Sequence, residues 1–107
     1  MNTRIALTLA LMIPATLAFA DDRSSAQTAL LAASCANCHG TDGKLAGAIP
    51  AIASRPATAL ESQLLDFKHD EQTRATVMPR IAKGYSDEEL KALAQYFSNI
   101  DAASKQR

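Results

Sequence analysis

Tryptophan is absent from the 107 residues, aromatic side chains make up only 5% of them, and valine occurs once, at Val77. With no alternating apolar runs either, the pattern is that of helices rather than strands. Neither sign of charge dominates, since 11 basic side chains face 11 acidic ones. That balance excludes the basic surplus which a broad electrostatic grip on nucleic acid requires. Cysteine is confined to Cys35 and Cys38, and methionine to Met1, Met12 and Met78. A long, predominantly apolar uncharged run occurs once, over residues 5–20, and Pro14 interrupts it. It falls short of the roughly 20 apolar residues that a membrane span needs.

That run has another meaning. Met1 to Arg4 form a short segment with one positive charge, Ile5 to Ala20 an uncharged one, and Ala18-Phe19-Ala20 ends it with small residues at the −3 and −1 positions. This is the layout of a cleavable secretory signal, which predicts removal of residues 1–20 and a mature domain over residues 21–107, exported to the periplasm with no membrane span left. The mature chain then has 10 basic and 11 acidic side chains, and only 18 apolar side chains larger than Ala or Cys. A domain of that size buries a modest fraction of its surface and is marginal without a staple or a cofactor.

Three helices are expected. Residues 24–34 place Ala26, Leu30 and Ala33 on one face, a narrow stripe that lets another helix approach closely. Thr58-Ala59-Leu60-Glu61 has the form of a capping box opening a helix to about Asp70, with Leu60, Leu64 and Phe67 inward. Ser86-Asp87-Glu88-Glu89 has the same form, with its acids at the positive end of the helix dipole. The helix it opens runs to about Asn99, with Leu90, Leu93, Ala94 and Phe97 inward and Glu88, Lys91 and Gln95 outward. Residues 40–57 hold Gly40, Gly43, Gly47, Pro50 and Pro56, which is loop composition. Thr73 to Lys83 is ambiguous, because Pro79 forbids a long helix through it.

The long loop directly follows Cys35-Ala36-Asn37-Cys38-His39, a C-x-x-C-H sequence of the kind that attaches c-type haem. Two thiols three residues apart on a helical turn can form thioethers to the two vinyl groups on one side of a porphyrin. The adjacent imidazole then lies under the ring as a ligand to iron. A zinc site would need four N or S ligands, and only His69 remains beyond the motif. A thioredoxin-type pair belongs in a βαβ setting, for which no strand pattern exists. A plain short-range disulfide leaves His39 without a role. A haem also supplies the missing core, a large flat body for Leu64, Phe67, Leu90, Leu93, Phe97 and the loop to pack against, with the loop glycines allowing close approach to the ring edge.

With His39 on one side of the iron, the sixth position falls to Met78, 39 residues later and immediately before Pro79. His69 is the competing ligand, but it lies opposite the face of Leu60, among Lys68, Asp70 and Glu71. A five-coordinate iron is the remaining alternative. His/Met ligation leaves no vacant site for a substrate and describes an electron carrier rather than an enzyme. Arg55, Arg74 and Arg80 are each able to pair with a haem propionate, and each reads as a surface charge.

Taken together, these segments resemble the bacterial class I cytochromes c over nearly the whole of residues 21–107: CANCHGTDG the haem-binding turn, ESQLLDFK the middle helix, and MPRIAKGYSDEELKALAQYFS the methionine loop and closing helix. The resemblance implies a small all-α fold of three main helices and a long loop around one covalent haem c. It also implies Met78 as the sixth ligand, Pro50 offering its carbonyl to the other nitrogen of His39, and helices 24–34 and 86–99 crossing with Tyr96 or Phe97 at the contact. RIAKGYSDEEL is more particularly similar to the cytochrome subunits of flavocytochrome c sulfide dehydrogenases. That similarity implies a redox partner, a flavoprotein that oxidises sulfide and passes on single electrons. A diffusible electron shuttle and a thiol-disulfide oxidoreductase are the alternatives.

Overall fold

The computed structural model describes residues 18–71 and 74–101, with side chains described from Ser24 onward. The predicted signal peptide lies outside the described residues, apart from Ala18, Phe19 and Ala20. Those three begin the first helix, α1, Ala18–Ala33. Four more helices follow: α2, Ala36–His39; α3, Ala57–Lys68; α4, Met78–Ala82; and α5, Asp87–Ser98. No strand occurs among the described residues. The three expected helices are therefore present, joined by two short ones that carry chemistry-bearing residues at their ends.

α5 forms as its sequence dictates. The Ser86 hydroxyl accepts from the Glu89 amide at 3.1 Å while the Glu89 carboxylate accepts from the Ser86 amide at 2.8 Å, a reciprocal capping box. Its inner face is Leu90, Leu93, Ala94 and Phe97, all buried, with Leu90 only 1% exposed. α3 opens differently from its expected capping box. Pro56 takes the N-cap position at φ −54°, ψ 131°, and no side chain caps the end. The Pro56 carbonyl already accepts from the amides of Ala59 and Leu60 at 3.1 and 3.0 Å, so Thr58 and Glu61 lie inside the helix. The locked ring of proline supplies the extended entry that a hydroxyl cap would otherwise stabilise. Pro79 works in a similar way, starting α4 rather than interrupting a longer helix.

The inner face of α1 is not Ala26, Leu30 and Ala33, which are exposed, Leu30 to 72%. Ala32, 4% exposed, and the partly buried Thr28, Leu31 and Cys35 face inward instead. Both sets share the same helical spacing. The rotation of α1 is set by its C-terminal end, where Cys35 packs against the core. Ala32, Leu60, Leu90, Leu93, Ala94 and Phe97 make one buried cluster, to which α1 contributes Ala32 and α5 contributes Leu90, Leu93, Ala94 and Phe97, while α3 packs on both α4 and α5. Tyr96 sets its ring edge-on to Phe97, with centroids 5.2 Å apart and planes at 89°.

Residues 40–56 form a folded loop. A 3₁₀ turn, Thr41–Gly43, opens it, and the Gly43 carbonyl accepts from the amides of Ile52 and Ala53 at 2.8 and 3.1 Å. Gly40 and Gly43 both have positive φ, +79° and +70°. A Cβ on Gly43 would stand 2.5 Å from Ile52 Cγ1 and 3.0 Å from Phe97 Cδ1, and one on Gly40 would stand 2.5 Å from Leu45 Cβ. Gly40 serves the packing of the loop on itself, and Gly43 its packing on itself and on α5. Gly47 has open space where a side chain would be.

Candidate functional site

The loop, α2, α3, α4 and α5 enclose an apolar cavity of about 490 Å³, within the range of small-molecule and cofactor sites, about 300–1,000 Å³. Ile52, Leu60, Leu64, Phe67, Leu93 and Phe97 form its apolar walls. Leu90, expected to touch a bound group, is buried outside the lining, in the cluster that α5 shares with α1. Cys35, Cys38, His39 and Met78 all line this one cavity, from two segments 39 residues apart.

The two thiols are placed by a single turn. Cys35 is the N-cap of α2, and its carbonyl accepts from the amides of Cys38 and His39 at 3.2 and 2.9 Å. Both cysteines are free of disulfide. Burial pushes the Cys35 thiol above its ordinary pKa. A redox-active thiol of the thioredoxin kind has the opposite shift.

His39 is buried, 8% exposed, and its Nδ1 lies 2.7 Å from the Pro50 carbonyl oxygen. A carbonyl only accepts, so Nδ1 carries the proton and donates it. In the neutral ring Nε2 then keeps its lone pair as a ligating atom, with the orientation of the imidazole held by the loop. The bond to Pro50, which the resemblance implied, is present. Met78 is half-buried at the first position of α4, next to the buried Pro79. His69, the competing ligand, caps the C-terminal end of α3, is exposed, and does not line the cavity. No cluster of three or more His, Cys, Asp or Glu suited to a metal ion occurs among the described residues.

Polar side chains enter the wall at few places. Arg55 and Gln63 do so together, the Arg55 Nη1 donating to the Gln63 Oε1 at 3.2 Å. Ser34 and Thr76 also line the cavity. Arg74 and Arg80 are exposed and lie outside the lining. Sequence pattern could not separate Arg55 from the other two arginines. Its position between the loop and Pro56 at the start of α3 is what turns it to the cavity.

The donor set fits a porphyrin rather than a bare metal ion. It offers two sulfur nucleophiles on one turn, one oriented imidazole, one thioether, an extended apolar wall and a cationic corner. An all-helical chain of this size folded about such a cavity defines a small c-type cytochrome. Residues 23–97 match the family described as "Cytochrome C oxidase, cbb3-type, subunit III". The cytochrome subunit of sulfide dehydrogenase of Chlorobaculum tepidum is 46% identical over 71 residues, 66% of this chain and 64% of that one. Cytochrome c-554(548) of Halomonas halodenitrificans is 37% identical over 68 residues, 61% of this chain and 82% of that one. Cytochrome c-553 of Helicobacter pylori is 35% identical over 86 residues, 78% of this chain and 88% of that one. The chain belongs to the cytochrome c family, and is a haem c protein of electron transfer.

Proposed function

We propose that Cys35 and Cys38 attach the haem as thioethers, that His39 and Met78 are its axial ligands, and that the chain is the periplasmic cytochrome subunit accepting electrons from a sulfide-oxidising flavoprotein. The observation that carries the ligand assignment is the convergence of all four side chains on one apolar cavity, with the His39 Nδ1 proton already engaged by Pro50. The likeness to the Chlorobaculum tepidum subunit supports the choice of partner. The signal-like layout of residues 1–20 supports the location, and no helix among the described residues is long and apolar enough to cross a membrane.

When bound, the haem supplies a one-electron Fe(II)/Fe(III) couple. The protein's part is to hold that couple and tune it. The Pro50 carbonyl orients His39 and raises its basicity as a ligand. α4 presents the Met78 thioether, a ligand that raises the potential relative to a second histidine. Leu64, Phe67, Leu93 and Phe97 exclude water, and Arg55 with Gln63 provides a polar corner for the propionate carboxylates. With His39 and Met78 both holding the iron, no site on it would be left for sulfide, whose oxidation would fall to the partner while this chain carries electrons. Ile49, Val77 and Ile81 line the cavity and are also exposed, 40%, 57% and 38%. They make an apolar rim suited to close contact with a redox protein.

The purified protein is expected to show a haem band that survives acid-acetone extraction, and an extractable or absent band would overturn the covalent assignment. Purification from periplasm is expected to bring a flavoprotein with it, and sulfide alone should reduce the cytochrome only slowly. A second reading, a diffusible shuttle, is favoured by the likeness to cytochromes c-554(548) and c-553. A monomer reduced by several donors would select it.

A further inference from the structure

We infer that the Tyr85 hydroxyl is a positioning group for the sixth ligand: by donating a hydrogen bond to Ser34, it ties the segment that bears Met78 to the turn that bears the two cysteines. This rests on the reading of Met78 as a ligand. The Ser34 Oγ stands 2.8 Å from the Leu31 carbonyl oxygen and 2.9 Å from the Tyr85 hydroxyl. The carbonyl can only accept, so the single Ser34 proton goes to Leu31 and the Tyr85 O–H is the donor in the second bond. Ser34 immediately precedes Cys35 and lines the cavity. Tyr85 lies just beyond α4, and its amide donates to the carbonyl of Ala82, the last residue of that helix, at 3.2 Å.

The placement matters because of how the helices pack. A covalently attached ring follows Cys35 and Cys38, and so the end of α1, which packs on α5. Met78 follows α4, which packs on α3. Ring and thioether therefore hang from different helices. The Ser34–Tyr85 bond spans 51 residues of chain and joins the two segments directly at their ends. The tyrosine ring packs against the core cluster, which accounts for an aromatic residue at this position but not for its hydroxyl. The hydroxyl is accounted for by the bond.

The test is made on the ferric holoprotein with cyanide, which must displace the sixth ligand to bind. Tyr85→Phe keeps the ring and removes the donor; Ser34→Ala removes the acceptor; Ser34→Thr keeps a hydroxyl. Tyr85→Phe and Ser34→Ala are each expected to speed cyanide binding by about five-fold, the scale of one net hydrogen bond. The double variant should be no faster than either single one, and Ser34→Thr should restore the wild-type rate. Equal rates in wild type and Tyr85→Phe, or effects that multiply in the double variant, overturn the proposal. A wild-type protein without a thioether-to-iron charge-transfer band would instead overturn the ligand assignment beneath it, so the two failures are distinguishable.

Discussion

Met78 is the residue whose removal most directly tests the proposed chemistry. Replacement by alanine is expected to abolish the thioether-to-iron charge-transfer band and lower the reduction potential, read by visible spectroscopy and redox titration. An unchanged spectrum would mean that Met78 is not the ligand and that another side chain holds the iron. His69, exposed at the end of α3, is in no position to take over without rearrangement. Gly43 makes the opposite kind of prediction, one of stability. Its φ of +70° and the 2.5 Å approach of a Cβ to Ile52 leave no room for a side chain. Gly43→Ala should cost about 2 kcal/mol, seen as a lower denaturant midpoint. A midpoint equal to wild type would show that the loop yields freely. Gly43 was legible in the sequence as a loop residue, but its reason was not, because Phe97 lies 54 residues away in the chain.

Among the elements, α5 is almost completely legible in the sequence: its cap, its inner face and its outer face are all local consequences of side-chain type and spacing. Ser86→Ala removes the reciprocal cap and should cost about 1 kcal/mol, lowering the thermal midpoint while leaving the haem spectrum unchanged. A shifted spectrum would mean that the cap acts on the site itself. α3 lies where the sequence places it but is opened by Pro56 instead of Thr58, since two competing local devices stand two residues apart. α1 ends where the sequence places it but starts six residues earlier, at Ala18, and presents a different face to the core. Alanines stand on several of its faces, so small size alone could not say which one α5 would cover.

At the scale of the whole molecule, the chain is built around a space. A cavity of about 490 Å³ lies among Leu60, Leu64, Phe67, Leu93 and Phe97, side chains that would otherwise form an ordinary core. Without a bound ring these walls have little to pack against, and loss of such contacts is costly. A double variant, Cys35→Ser with Cys38→Ser, is expected to lose most of its helical circular dichroism when freed of haem. A compact, fully helical apo-protein would show that the protein core suffices alone.

What the sequence determined by itself is local and chemical. The spacing of Cys35, Cys38 and His39, the capping of α5, the helical periods and the balanced charge all follow from neighbours within a few residues. What only the tertiary structure decided is convergence. It brings Met78 to the cavity of His39, carries Arg55 to the same wall while leaving Arg74 and Arg80 outside, and turns Ala32 rather than Leu30 toward α5. It also joins Ser34 to Tyr85. The physical reason is that helix rotation and loop path are set by packing between segments far apart in the chain, which no window of local pattern contains.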